Sequence, residues 1–197
     1  MPPVTFYFDV GSPYAYLAAE RIARVLPEPA RWQPVLLGGL FKLTGRNSWA
    51  LGDDRRRQTG VAEIERRARG YGLPPLRWPD PWPADYLAVM RATTYAFGAG
   101  SGHEFAMSAF RSAFQRGTDL SIVAHVLDAA RDAGLERDDV QAAIQDPEIK
   151  RSLRAATDAA FELGVLGVPT VAVGDRLFWG DDRLEDAAAH MRSVPAR

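Results

Sequence analysis

The sequence contains no cysteine among its 197 residues. This absence excludes disulfide bonds, thiolate metal sites and a cysteine nucleophile supplied by the chain itself. The sequence also lacks an apolar run of the ~20 residues that a membrane-spanning helix requires, and its start, "MPPVTFYF", does not have the basic-then-apolar layout of a secretory signal. We therefore expect a cytoplasmic protein that does not insert into a membrane.

Lysine is nearly absent as well, since Lys42 and Lys150 are the only two and arginine supplies the rest of the 24 basic residues. The 25 acidic residues balance this charge and leave a formal net charge of −1. Without an excess of positive charge, neither nucleic acid nor an anionic membrane is an expected partner. The three histidines show no ligand spacing, so no metal site is expected.

What the sequence does contain is a chain with 47% hydrophobic residues, enough for a sizeable core. The alternating, aromatic segment 4–10 predicts a strand, and the amphipathic segment 13–26 predicts a helix. Segment 31–39 predicts a second extended stretch, in which Pro34 favours a sheet edge. Because a strand, a helix and a strand of these lengths form a βαβ unit, the two strands should be parallel.

The pattern becomes helical from about residue 40 to 160, with glycine and proline breaks. Helices are predicted at 62–72, 84–97 and 105–116, and Ser121 and Asp146-Pro147 open two further helices. Strands return at 168–180, where two apolar runs flank Gly174-Asp175, the signal of a two-residue hairpin. A final helix is predicted at about 183–192.

This order predicts an α/β, thioredoxin-like fold (βαβ…ββα) with a large all-helical insertion. Residues 1–40 and 160–197 would form the thioredoxin-like domain with a four-stranded mixed sheet, and residues 41–159 would form the inserted helical domain.

The first candidate functional residue is Ser12, which lies between the first strand and its helix and precedes Pro13. This position predicts a helix N-cap, with Pro13 as the first helical residue. In a thioredoxin-type sheet the same turn forms the active site, and redox members carry two cysteines there. Here the stretch is Ser12-Pro13-Tyr14-Ala15, so dithiol chemistry is excluded, and a hydroxyl is available to a sulfur atom from outside the protein.

Two further motifs lie at strand ends. Pro169, in "GVPT", is a candidate for a cis bond to Val168, whose backbone could then pair with an extended ligand. Asp181 and Asp182, in "FWGDDRL", start the last helix, where one carboxylate caps and the other is free for an ammonium group.

Together these motifs resemble a known family. The segments "FYFDVGSPYAYL", "PVLLGGLFKLTG", "RARGYGLP", "GVLGVPT" and "FWGDDRL" occur in the order found in the 2-hydroxychromene-2-carboxylate isomerases and the related kappa-class glutathione transferases. Both belong to the DsbA-like thioredoxin group. The segments span nearly the whole chain.

The resemblance implies glutathione, or another low-molecular-weight thiol, as cofactor. It implies that Ser12 hydrogen-bonds the sulfur and acts catalytically. The backbone of Val168, before Pro169, would pair with the cysteinyl part, and Asp181 and Asp182 would hold the γ-glutamyl end.

At the glycine end of glutathione the pattern departs from the family. Asn47 resembles the family's asparagine, although Arg46 shifts it by one position. Arg56 falls near the family's lysine that contacts the glycine carboxylate, and Arg55 and Arg57 remain alternatives. In addition, Asp181 stands where isomerases often have glutamine.

The resemblance implies a dimeric, glutathione-dependent isomerase of aromatic catabolism that interconverts 2-hydroxychromene-2-carboxylate and trans-o-hydroxybenzylidenepyruvate by reversible thiolate addition. The alternatives are a kappa-like transferase acting on other electrophiles and a non-catalytic thioredoxin-fold binding protein or chaperone. A small aromatic substrate would contact four aromatic candidates: Tyr14, Phe41, Trp49 and Trp82.

Overall fold

Residues 3–193 are described by a computed structural model of the chain, and they contain four strands and ten helices. The strands are β1 (Val4–Phe8), β2 (Arg31–Pro34), β3 (Thr170–Val173) and β4 (Arg176–Trp179). The helices are α1 (Pro13–Ala19), α2 (Ile22–Val25), α3 (Leu37–Thr44), α4 (Asp54–Gly70), α5 (Leu87–Gly98), α6 (Gly102–Arg116), α7 (Val123–Asp132), α8 (Arg137–Gln145), α9 (Pro147–Glu162) and α10 (Leu184–Ser193). Two 3-10 turns, Trp49–Leu51 and Asp181–Arg183, precede α4 and α10.

The strands form one mixed sheet in the order β2-β1-β3-β4. β1 and β2 are parallel, as predicted, and β2 is an edge strand, which fits Pro34. β3 pairs antiparallel with both β1 and β4, and the β3–β4 hairpin turns at Gly174, whose φ of 61° is the left-handed conformation that glycine favours. The mixed sheet and its helical block confirm the predicted fold class.

Both faces of the sheet are covered, and β1 contributes to both because its alternate residues point to opposite sides. Phe6 and Phe8 pack on one face against Trp32, with ring centroids 4.9 and 5.4 Å away, and Phe8 also contacts Phe110 of α6. Tyr7 belongs to a second buried cluster on the other face, together with residues of α3 and α9. Burial of each phenylalanine contributes about 2–3 kcal/mol, so this strand holds the two layers together.

The predicted helix at 13–26 is divided in two at Arg21. This residue is buried, and its guanidinium donates to the carboxylate of Glu185 and, at 3.1 Å, to the main-chain oxygen of Asp181. The ion pair anchors the break to the start of α10, at a residue 164 positions later in the chain.

The predicted extended segment 31–39 is only partly correct, because the strand ends at Pro34 and α3 begins at Leu37. The Leu37 N–H donates to the carboxylate of Asp9 at 2.7 Å, so a residue outside the segment satisfies the first turn of the helix.

The helix predicted at 62–72 is longer than expected. It begins at Asp54, where the Asp53 side chain accepts a hydrogen bond from the Arg56 N–H at 2.8 Å. The predicted domain boundaries near residues 40 and 160 fall inside α3 and α9, and they stay a prediction. None of the helices within residues 3–193 combines the length and apolar character that crossing a bilayer requires.

Candidate active site

A cavity of about 1070 Å³ opens where three turns converge: the turn after β1, the turn before β3 and the turn after β4. Ser12 lines it from the first turn, Val168 and Pro169 from the second, and Asp181 and Asp182 from the third. The topology therefore brings together residues that are more than 150 positions apart in the chain.

Ser12 is the N-cap of α1, as predicted, and Pro13 is the first helical residue. Its Oγ accepts a hydrogen bond from the Ala15 N–H at 3.2 Å, and the residue is only 4% exposed. Within the described part of the chain the hydroxyl donates to no other group, so its proton is available to an acceptor in the cavity.

The bond between Val168 and Pro169 is cis, as the sequence suggested. Among the backbone hydrogen bonds of residues 3–193, none uses the N–H or the carbonyl of Val168. The carbonyl of Pro169, in contrast, accepts from Gly180 N–H at 2.9 Å, which ties the turn before β3 to the turn after β4. Val168 thus carries main-chain groups that an extended ligand can pair with.

The two adjacent aspartates differ sharply in their surroundings. The carboxylate of Asp181 is 1% exposed, and it accepts hydrogen bonds from Arg67 at 2.8 Å and from the hydroxyl of Tyr71 at 2.9 Å. Burial raises the pKa of Asp181, while Arg67 opposes this shift. The carboxylate of Asp182 is 53% exposed and lies 3.2 Å from Arg67. Of the two, Asp182 is the carboxylate with room for a ligand.

Arg67 and Tyr71 were not singled out from the sequence. Burial and the neighbouring charge of Asp181 raise the pKa of Tyr71 to about 12, so its phenol stays protonated and donates. Arg67 also pairs with Glu63 at 2.8 Å and lies 5.5 Å from the ring centroid of Tyr14. The sequence signal for Arg67 and Tyr71 as neighbours was their spacing in "ERRARGYG", which puts them one turn apart on a predicted helix.

The candidates for the glycine end of glutathione lie at the cavity mouth. Asn47 and Arg56 both line the cavity and are exposed. Arg57 is occupied by a hydrogen bond to the main-chain oxygen of Trp82, and Arg55 does not line this cavity. Of the three arginines considered, Arg56 is the one that reaches the cavity wall without a partner inside the described chain.

The four aromatic candidates all line the cavity, namely Tyr14, Phe41, Trp49 and Trp82. Trp49 packs between Tyr14 and Trp82, with ring centroids 6.3 and 5.6 Å away. Trp82 is nearly buried, and its indole N–H reaches the carbonyl of Gly11 at 3.5 Å. These rings give one wall of the cavity an apolar, aromatic surface.

Asp9 is a cavity residue that the sequence reasoning missed. Its buried carboxylate accepts from the N–H groups of Gly11 at 2.8 Å and Leu37 at 2.7 Å, and so connects the turn after β1 with the turn after β2. Burial raises its pKa to about 6, and these two hydrogen bonds partly offset the shift. The sequence signal that could have indicated Asp9 was its place as a lone charged residue in the apolar run "FYFDV".

Comparisons with known proteins assign the chain to one fold family. A family model described as "DSBA-like thioredoxin domain" matches residues 3–192. The chain is 29% identical to a 2-hydroxychromene-2-carboxylate isomerase of Sphingobium xenophagum, over 92% of this chain and 94% of the relative. It is 27% identical to the glutathione S-transferase kappa 1 of Homo sapiens, over 92% of this chain and 87% of that protein.

A solved structure shares the fold closely. A selenomethionine form of a 2-hydroxychromene-2-carboxylate isomerase superposes with a TM-score of 0.83 over 96% of this chain and 94% of that one, at 23% identity. The similarity confirms that the mixed sheet with its helical block is a thioredoxin-like arrangement.

Proposed function

Because this chain belongs to the family of DSBA-like thioredoxin domains, we propose that it is an enzyme that uses glutathione to isomerise a small aromatic substrate. Its relatives bear the names of an isomerase and a glutathione transferase. The reaction we propose is the interconversion of 2-hydroxychromene-2-carboxylate and trans-o-hydroxybenzylidenepyruvate. By the same resemblance we propose that it works as a homodimer in the cytoplasm.

The observation that carries this proposal is a buried serine hydroxyl, free to donate, at the turn where redox relatives carry cysteine. Ser12 lies in the same cavity as the main-chain groups of Val168, which no backbone group of residues 3–193 pairs. A chain without cysteine cannot supply a thiol itself, and these two residues form a site that a thiol-bearing peptide fits. The cavity volume is also sufficient for a thiol of this size together with an aromatic substrate.

When bound, glutathione would supply a sulfur nucleophile that adds reversibly to a conjugated carbon and allows the former double bond to rotate. The task of Ser12 is to favour the ionised sulfur by donating a hydrogen bond to it. A free thiol of pKa ~8.5 is about 3% ionised at pH 7. Lowering this pKa by about 2, which corresponds to about 2.7 kcal/mol, would make it mostly ionised.

Other residues would hold the two ends of the cofactor. Asp182 is exposed at the cavity wall and suits the α-ammonium group of the γ-glutamyl part. Arg56 and Asn47 line the mouth and suit the glycine carboxylate. Because both oxygens of Asp181 already accept hydrogen bonds from Arg67 and Tyr71, we assign that residue the positioning of its neighbours.

A kappa-like transferase reaction is the second candidate, supported by the 27% identical relative. The products separate the two reactions. An isomerase returns the thiol unchanged, so substoichiometric glutathione suffices, whereas a transferase consumes one thiol for each product.

The test of the proposed function is a calorimetric titration with glutathione, followed by ultraviolet absorbance of the bound thiolate. We expect saturable binding and thiolate absorbance at pH 7, and Ser12→Ala should lose most of the absorbance and about 25-fold of the thiol-dependent turnover, as expected at pH 7 for a thiol pKa that returns by ~2.

Asp146→Ala is the matched control, because it removes the N-cap bond of α9 to the Glu148 N–H at a site outside the cavity. Each variant should lose about 1 kcal/mol of stability, and the control should keep its turnover. Absence of glutathione binding, or unchanged turnover in Ser12→Ala, would show that the proposal is wrong.

A further inference from the structure

A second cavity adjoins the first on the side of the helical block. It has a volume of about 520 Å³ and lies between α3, α5 and α9. Its apolar wall is formed by four leucines: Leu36, Leu43, Leu87 and Leu153. We refer to this cavity as the side groove.

The charge of the side groove is unlike that of the whole chain. Four basic residues line it, namely Lys42, Arg91, Lys150 and Arg154, against one acidic residue, Asp158. Both lysines of the chain are among them. A protein with a net charge of −1 therefore has a concave surface of concentrated positive charge here.

These cations are weakly engaged by the protein itself. Arg154 lies 3.6 Å from Asp158, and Arg91 donates to the carbonyl of Ile144 at a long 3.3 Å. Neither lysine forms an ion pair with any residue between positions 3 and 193. Since a cation beside an apolar wall is best stabilised by an anion, the groove complements a ligand that is both apolar and negatively charged.

The side groove shares part of its wall with the cavity that contains Ser12. Leu36, Gly39, Lys42 and Leu87 line both of them. Lys42 lies about one turn after Gly39 on α3, at the junction.

We propose that the side groove binds the anionic end of an extended apolar small molecule, with the carboxylate or sulfonate between Lys42 and Lys150 and the hydrocarbon part on the leucines. A ligand of this length is not the compact acid of the proposed reaction, so the existence of the groove site does not depend on that reaction.

The test uses 8-anilinonaphthalene-1-sulfonate, an apolar aromatic anion whose fluorescence reports binding. We expect Lys150→Gln to raise its Kd about fivefold, the loss of one partly exposed charge pair. Leu43→Glu, at a 45% exposed position of the groove wall, should abolish binding to this site by repulsion.

Arg151→Gln is the control, because Arg151 follows Lys150 on α9, pairs with Glu148 and lies outside the groove. An unchanged Kd in both groove variants, or an equal rise in Arg151→Gln, would overturn the proposal. Displacement of the probe by inorganic sulfate as efficiently as by biphenyl-4-carboxylate would also overturn it, because it would identify a simple ion site.

The outcome is separable from that of the proposed function. Lys150 does not line the cavity with Ser12, so Lys150→Gln should leave the glutathione titration unchanged. Loss of glutathione binding in the wild type would refute the thiol chemistry and leave the probe titration to decide the groove on its own.

Discussion

The two ends of the main cavity differ in how far the protein has already paired their polar groups. At the β1 end, no hydrogen bond among the described residues uses the proton of the Ser12 hydroxyl or the main-chain groups of Val168. At the α10 end, the buried carboxylate of Asp181 is saturated by Arg67 and Tyr71. Buried charge is costly unless it is paired, so the first end is suited to a ligand, whereas Asp181 at the second end is suited to holding α4 against the turn after β4.

The strongest test of this difference is Asp181→Asn. The amide keeps the shape but leaves Arg67 without its buried partner, so we expect a loss of about 3 kcal/mol in the free energy of unfolding. Urea denaturation measures this loss. Asp186→Asn, at an exposed i,i+3 pair with Arg183, is the control and should change stability by less than about 0.5 kcal/mol. A loss below about 1 kcal/mol for Asp181→Asn would remove the distinction between the two ends.

Asp9 gives the β1 end a pH dependence of its own. Its pKa of about 6 in the folded state lies above the ~3.9 of an unfolded aspartate, so the native state holds the proton more tightly. The resulting stabilisation is full below about pH 4 and is lost as the pH rises through 6. From about pH 5 to pH 7.5 the free energy of unfolding of the wild type should fall by about 1.4 kcal/mol relative to that of Asp9→Asn, because the asparagine stays neutral.

Urea denaturation at the two pH values measures this difference, and a constant offset from the changed hydrogen bonds of the variant cancels out. A parallel pH dependence of the wild type and Asp9→Asn would show that Asp9 is ionised throughout and that burial does not govern it.

Local signals predicted much of the sheet domain. The alternation of β1, the Ser-Pro pair at α1 and the Gly-Asp turn of the β3–β4 hairpin each involve neighbouring residues, and the structure confirms all three. The thioredoxin-like fold followed from their order. The cis bond before Pro169 was also anticipated from a short motif.

The features that were missed depend on partners far away in the chain. The start of α3 depends on Asp9, 28 residues earlier, and the break after α1 depends on Glu185, 164 residues later. The pairing of Arg67 with Asp181 spans 114 residues. Periodicity reports which face of an element is buried and not which polar group meets it, so these contacts required the folded chain. The ligand roles of the site residues stay predictions.

The smallest and most discriminating effect is expected at Asp182. It adjoins Asp181 in the chain, yet its carboxylate is 53% exposed. Its Oδ2 pairs with the same guanidinium of Arg67 at 3.2 Å, a longer distance than that of Asp181. Asp182→Asn should therefore change the free energy of unfolding by less than about 0.5 kcal/mol. If the carboxylate holds the ammonium group of glutathione, the same variant should raise the Kd for glutathione about tenfold, or about 1.4 kcal/mol.

Calorimetry with glutathione and with its analogue lacking the α-amino group separates this contact from a general change in charge. The analogue should bind the wild type and Asp182→Asn equally, because it has no ammonium group to lose. A stability loss like that of Asp181→Asn with an unchanged Kd would assign both aspartates to the protein's own framework.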